Sequence, residues 1–128
     1  MKKYLLDTHV VLWLAENSPL LSIKAKNAIF DAAAEKYVSI ASAWEVAIKI
    51  TSKKLHVEGG LPEFFKMLDD NGFGVLPVER KYLLRLPDLA DHHKDPFDRL
   101  LVATAQVEGM IILTVDENIR KYDVPSAW

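Results

Sequence analysis

Asp7, Glu45, Asp98 and Asp116 are the residues whose type and placement suggest chemistry. Asp7 directly follows an apolar run, Lys3–Leu6. Glu45 lies four residues past a second run, Tyr37–Ala41, in the first turn of a helix that Ser42 can cap. Asp98 falls in the first turn of a helix opened by Asp95-Pro96, and Asp116 follows a last apolar run, Met110–Val115. Each has a plain structural reading. Asp7 can cap the segment after it, Ser42-x-x-Glu45 has the form of a capping box, Asp98 suits the positive end of a helix dipole, and Asp116 can turn the chain. Together they read differently. Four carboxylates gathered in one place repel, and some must stay protonated unless a cation sits among them. Carboxylate oxygens are hard ligands, suited to Mg²⁺ or Mn²⁺.

Gathering them is a task for the fold. Four short runs read as strands: Lys3–Leu6, Tyr37–Ala41, Gly74–Val78 and Met110–Val115. None alternates cleanly between apolar and polar, as expected of a sheet buried on both faces. Helical patterns lie between them. They cover Val10–Ala15, a segment from a Ser22 cap to Lys36, one from Ser42 to about Ser52, one opened by Pro62 and stopped at Asn71-Gly72, Glu79–Leu86, and a strong one from Pro96 to Gly109. Asp116 starts a final helical turn. Alternating strands and helices imply right-handed βαβ units and an α/β fold with a mostly parallel sheet. Such sheets bind ligands at the carboxyl ends of their strands, where these acids fall.

The 128 residues fit a single domain, 1–128, large enough to fold without disulfides or structural metal. The formal net charge of −2 argues against holding nucleic acid by bulk electrostatics, while leaving room for local phosphate contacts. There is no cysteine, which excludes thiolate metal sites, disulfides and a cysteine nucleophile, and fits a cytoplasmic setting. No apolar stretch approaches the ~18 residues of a membrane-spanning helix.

Several segments together resemble a known family. Leu5-Leu6-Asp7-Thr8-His9, Ser42-Ala43-Trp44-Glu45-Val46-Ala47-Ile48-Lys49, His92-His93-Lys94-Asp95-Pro96-Phe97-Asp98-Arg99-Leu100-Leu101 and Ile112-Leu113-Thr114-Val115-Asp116, in this order, look like a PIN domain of the VapC-like branch of type II toxin–antitoxin systems. The Asp-Pro-Phe-Asp-Arg-Leu-Leu segment is the most specific part. The resemblance implies a three-layer α/β/α fold around a mostly parallel sheet of four or five strands. It implies endoribonuclease activity dependent on Mg²⁺ or Mn²⁺, with Asp7, Glu45, Asp98 and Asp116 as the acidic set and Thr114 as an auxiliary hydroxyl. It also implies RNA as substrate, a cognate antitoxin protein as partner, and a homodimer. Two departures stand out. Lysines occupy Lys53-Lys54 where such chains often place a glycine, and Ile119 and Tyr122 follow Asp116 where an aromatic often comes sooner.

Other residues carry two readings each. Asp95 belongs to the branch's pattern and reads mainly as a helix cap. Lys49, Lys53 and Lys54 suit a helix end or RNA phosphates, and Arg99 an internal ion pair or a phosphate. Trp44 could stack on a base, although a core position is the default for it and for Trp13. His9, His92 and His93 lie near the proposed edge. His92-His93-x-Asp95 is weak as a zinc motif without thiolates or a helical two-His pattern. A phosphoaspartate module of receiver or haloacid-dehalogenase type shares this topology but wants a second acid close to the first, where Thr8 and His9 stand. A PIN-like protein that only binds a partner is the remaining alternative.

Overall fold

Continuous apolar strands demand cover on both faces, and the computed structural model, which describes residues 1–128, shows how this chain supplies it. In chain order the elements are β1 (Lys3–Leu6), α1 (Thr8–Glu16), α2 (Ile23–Ile29), β2 (Glu35–Ser39), α3 (Ile40–Thr51), α4 (Gly60–Asp70), β3 (Gly74–Leu76), α5 (Arg80–Arg85), α6 (Pro96–Glu108), β4 (Ile111–Leu113) and β5 (Ser126–Ala127). The five strands form one all-parallel sheet in the order β3-β2-β1-β4-β5. Successive residues of a strand point to opposite faces. Tyr4, Leu6, Val38 and Leu113 accordingly pack with α1–α4 on one side, and Leu5 and Ile112 pack with Leu101, Val102 and Ala105 of α6 on the other. This is the three-layer α/β/α arrangement expected. No helix is long and apolar enough to cross a membrane.

The strand order matters for function. From β1 the chain goes to β2 and β3 on one side, then returns to lay β4 and β5 on the other. That reversal opens a crevice beyond the carboxyl ends of β1 and β4. Leu6 pairs with Leu113, so Asp7 and Thr114 leave the sheet side by side. The Asp7 N–H still donates to the Leu113 carbonyl at 3.0 Å.

Several local expectations shift. β2 covers Glu35–Ser39 instead of Tyr37–Ala41, and the helix capped by Ser22 ends at Ile29 instead of running to Lys36. Ala32–Ala34 has helical propensity, but Asp31 turns the chain by accepting the Ala33 N–H, and pairing with β1 claims the residues after it. Ser39, not Ser42, caps α3, accepting the Ala41 N–H at 3.1 Å. Strand therefore passes to helix without a loop. Glu45 consequently sits in the second turn of α3, and the Ser42–Glu45 capping box does not form. α4 begins at Gly60, ahead of Pro62. β3 and β4 are shorter than the apolar runs around them. β5 carried no strand signal in its two residues; it forms because Ile112 and Thr114 donate to the Pro125 and Ala127 carbonyls. Lys53 adopts a positive φ of 60° at the turn after α3, a conformation that favours glycine. The final helical turn is a single 3₁₀ turn at Ile119–Lys121.

The best-anticipated element is α6. Asp95 accepts the Phe97 N–H at 2.8 Å, Pro96 takes the first turn without a missing bond, and Gly109 closes the helix at φ 68°. Leu5 is fully buried between β1 and α6, whereas Ile23 is largely exposed. Leu5→Ala is expected to cost about 2–5 kcal/mol in denaturant unfolding, and Ile23→Ala less than about 0.5 kcal/mol.

Candidate metal centre

Asp7 ends β1 and caps α1. It is 2 % exposed, and each of its carboxylate oxygens accepts one hydrogen bond. Oδ1 accepts the His9 N–H at 3.1 Å, and Oδ2 accepts the Thr114 hydroxyl at 2.7 Å. Thr114 Oγ1 in turn accepts the Asp116 N–H at 3.0 Å. One threonine just beyond β4 thus ties together two acids that are more than a hundred residues apart. The Asp116 Oδ1 accepts the Asn118 and Ile119 N–H groups at 2.8 and 3.1 Å. Asp98, in the first turn of α6, is 7 % exposed. Asp98 Oδ2 and Asp116 Oδ2 each lie 3.1 Å from His93 Nε2.

Glu45 is half-buried and makes no hydrogen bond within the protein. Its carboxyl is raised above the ordinary range by burial first and by the charge of Asp95 next, with Asp7 adding to the effect. Asp98 is pushed up to about 7, by burial and then by the charges of Asp7, Asp95 and Asp116, with His93 opposing. The charge of Asp7 reaches both Glu45 and Asp98, while no hydrogen bond or ion pair joins Glu45 to the other three acids. Asp116 goes the other way. Burial would raise it, but the hydrogen bonds from His93 and from the Ile119 and Asn118 N–H groups hold it below the usual carboxylate value. His9 is raised chiefly by the neighbouring Asp7 carboxylate, whose Oδ1 lies 3.8 Å from Nδ1, beyond hydrogen-bond reach; the ring is exposed.

The donor chemistry fits a hard divalent cation. His93, Asp98 and Asp116 offer ligand atoms within 4.8 Å of one another, with Asp7 tied to Asp116 through Thr114. The two carboxylates of this group could hold a divalent ion, with the His93 ring beside them.

The remaining candidates separate. Asp95 caps α6, as expected. Arg99 does not face outward to wait for a phosphate. Its Nη1 donates to the Ala90 carbonyl and the Tyr122 hydroxyl, and its Nη2 to the Leu86 carbonyl, so the guanidinium clamps the segment before α6. Lys49 lies one turn beyond Glu45, half-buried, and its charge opposes the rise of the Glu45 carboxyl. Trp44 is not a core residue. It is 62 % exposed, edge-on to Phe97 at 5.5 Å, in an apolar groove with Ile40, Val78, Leu83 and Leu100. Trp13 is half-buried against the main core.

Sequence reasoning weighed His93 only as half of a weak zinc motif, and it missed three other residues. Thr8 and Ser42 share a buried hydrogen bond of 2.8 Å that fastens α1, and with it Asp7, to the helix of Glu45. The Tyr122 hydroxyl accepts the His92 and His93 N–H groups at 3.1 and 3.0 Å, fixing the segment that presents His93. Only the hydroxyls at Thr8 and Ser42, in otherwise apolar stretches, carried a signal.

Buried Asp7 and Asp98, with Asp116 tied to Asp7 through Thr114, line a crevice beyond β1 and β4 of a three-layer α/β/α fold. The PIN domain profile matches residues 4–125, and the chain belongs to the PIN domain family. It is 28 % identical over 127 residues to Ribonuclease VapC22 of Mycobacterium tuberculosis (strain ATCC 25618 / H37Rv), covering 98 % of this chain and 95 % of that protein. Its fold matches the crystal structure of VapBC2 from Rickettsia felis bound to a DNA fragment from their promoter. The TM-score is 0.75 at 11 % identity, with 98 % and 97 % of the two chains covered. DNA-bound VapBC from Salmonella typhimurium matches with a TM-score of 0.69 at 13 % identity, covering 99 % and 98 %. Family membership sets aside the two phosphoaspartate readings.

The shift of Asp98 has a measurable consequence. Its folded pKa of about 7 exceeds the ordinary 3.8, so between these values the folded chain holds a proton that the unfolded chain releases. The stability associated with that proton is complete below about pH 4 and lost as pH rises through about 7. In EDTA, Asp98→Asn is expected to raise Tm above that of the parent at about pH 8 and to leave it unchanged near pH 4. Parallel Tm curves for the two proteins across this range would contradict the assignment.

Proposed function

We propose that this protein is a metal-dependent endoribonuclease, the toxin component of a type II toxin–antitoxin pair. The observation that carries the reading is the hydrogen-bonded line Asp7–Thr114–Asp116 along the β1/β4 edge, with Asp98 buried beside it. Buried acids of this number are costly unless they serve a cation or a proton. The similarity to a ribonuclease over nearly the whole chain points to RNA as the substrate.

In this proposal Asp7, Glu45, Asp98 and Asp116 hold one or two Mg²⁺ or Mn²⁺ ions and form the catalytic set. When bound, the metal lowers the pKa of a water and neutralises charge on the phosphoryl oxygens. The protein's own contribution is placement. Thr114 and the His9 N–H take one lone pair from each oxygen of Asp7 and point the others into the crevice. The Asn118 and Ile119 N–H groups orient Asp116 through Oδ1 and turn its Oδ2 inward. Glu45, free of internal bonds, is available to the ion or to a proton from the attacking water. Water adds to phosphorus, the bond to the 3′ oxygen breaks, and the proton ends on that oxygen. The products carry 5′-phosphate and 3′-hydroxyl ends, and the ribose 2′-hydroxyl takes no part.

The partners proposed are an antitoxin protein and a second copy of the chain. Exposed Trp44 stands edge-on to half-buried Phe97 in an apolar groove beside α3, the kind of anchor that dominates protein interfaces, and we assign this groove to the second copy.

Two measurements test these assignments. Total RNA incubated with Mn²⁺ is expected to be cut to fragments with 5′-phosphate ends, and Asp7→Asn to slow cleavage by more than about a hundredfold while the far-ultraviolet circular dichroism is retained. Equal cleavage by the variant would refute the mechanism, and no cleavage by the parent would favour a protein that only binds. In light scattering without antitoxin, Trp44→Glu is expected to convert a dimer to a monomer.

A further inference from the structure

His93 stands 3.1 Å from an oxygen of each of two acids assigned to the metal, which invites reading it as a third ligand. Its other nitrogen argues against this. The Asp95 N–H donates to His93 Nδ1 at 3.1 Å. Nδ1 is thereby an acceptor, and the ring proton resides on Nε2. A metal bound at Nε2 would need that proton moved to Nδ1, where it would meet the Asp95 N–H head-on. Asp95 cannot turn away cheaply, because its side chain caps α6 through the Phe97 N–H. Nor is the histidine backbone loose. The Tyr122 hydroxyl accepts the His92 and His93 N–H groups and an Arg99 N–H, and Arg99 also holds the Ala90 and Leu86 carbonyls.

We propose that His93 is not a metal ligand but a stand-in for the metal: its Nε2–H donates to Asp116 Oδ2, with Asp98 Oδ2 3.1 Å from the same nitrogen, and it withdraws when a divalent cation takes those oxygens. A donor that bonds one carboxylate with the other close beside it relieves their repulsion in the same place and with the same sign as a cation would. Both cannot use the same two oxygens from the same side, since the N–H dipole would point its positive end at the ion. The Tyr122–Arg99 clamp keeps the competitor in place. Its consequence is a metal site of reduced affinity and a metal-free chain of increased stability.

This inference rests on the metal-centre reading, and the experiment separates the two. Mn²⁺ is titrated into the intact protein by calorimetry, alongside His93→Ala, His93→Gln and Tyr122→Phe. Removing this donor is expected to tighten Mn²⁺ binding about tenfold or more in His93→Ala and to lower its Tm in EDTA. His93→Gln, which retains a side-chain N–H, is expected to bind within a few-fold of the parent. Tyr122→Phe, which loosens the clamp, is expected to shift affinity in the same direction as His93→Ala by a smaller factor, and it serves as the test if His93→Ala does not fold. Imidazole ¹⁵N spectra of the metal-free parent are expected to show a protonated Nε2 and an unprotonated Nδ1. Weaker Mn²⁺ binding by His93→Ala, unchanged binding in all variants, or an Nδ1-protonated tautomer would each overturn the inference while leaving the metal centre standing. Absence of Mn²⁺ binding by the parent would overturn the metal-centre reading, and the inference with it.

Discussion

The pairing of β1 with β4 is the constraint on which the site depends. Leu6 lies opposite Leu113 in a parallel register, so the next residue of each strand, Asp7 and Thr114, must emerge together at the carboxyl edge. Parallel strands leave no other arrangement, because every crossover returns the chain to the same starting edge and every strand ends at the opposite one. The residues that follow strands are therefore collected at one rim whatever their separation in sequence. Thr114 makes that collection specific, since its one hydroxyl both donates to Asp7 and accepts from the Asp116 backbone.

Placing several acids at such a rim opposes folding, and the surrounding structure offsets it selectively. Asp7 and Asp116 are well supplied with donors, from a hydroxyl, backbone N–H groups and an imidazole. Asp98 is buried too, but the imidazole stands beside it without donating to it, so it is the acid whose charge is most resisted. Glu45 is left without a partner altogether. This uneven provision is what a binding centre requires. Acids satisfied by fixed donors hold their geometry, while acids left under-satisfied retain free energy to give to a ligand.

A second layer lies behind the first. The segment before α6 carries no regular structure beyond a single 3₁₀ turn at Leu86–Asp88, yet it is held at several points by Arg99 and Tyr122. Arg99 neighbours Asp98 in sequence but works on the loop. On the far side of α3, the residue next to Glu45 is Trp44, turned outward into the apolar groove. Consecutive residues of one helix thus present a half-buried carboxyl and an exposed indole in different directions, because a helix rotates its side chains by about 100° per residue.

Much of this was readable from the residues alone where the signals are local. The Asp95-Pro96 start and Gly109 stop of α6, the Ser22 cap, β1 and the alternation that implies a parallel α/β sheet all depend on interactions within a turn or two of chain. So does the expectation that acids just past strands share a rim. Tertiary structure decided the rest. It placed the β2–α3 boundary at Ser39, because pairing with β1 outranks the propensity of Ala32–Ala34 and frees Ser42 to bond Thr8 instead of capping. It recruited two C-terminal residues as β5, turned Trp44 outward, committed Arg99 to a loop, and set His93 between two acids. Each of these outcomes depends on partners ten to a hundred residues away, brought close only by the sheet register. No pattern along a stretch of sequence encodes which of two chemically adequate partners will be nearer in space.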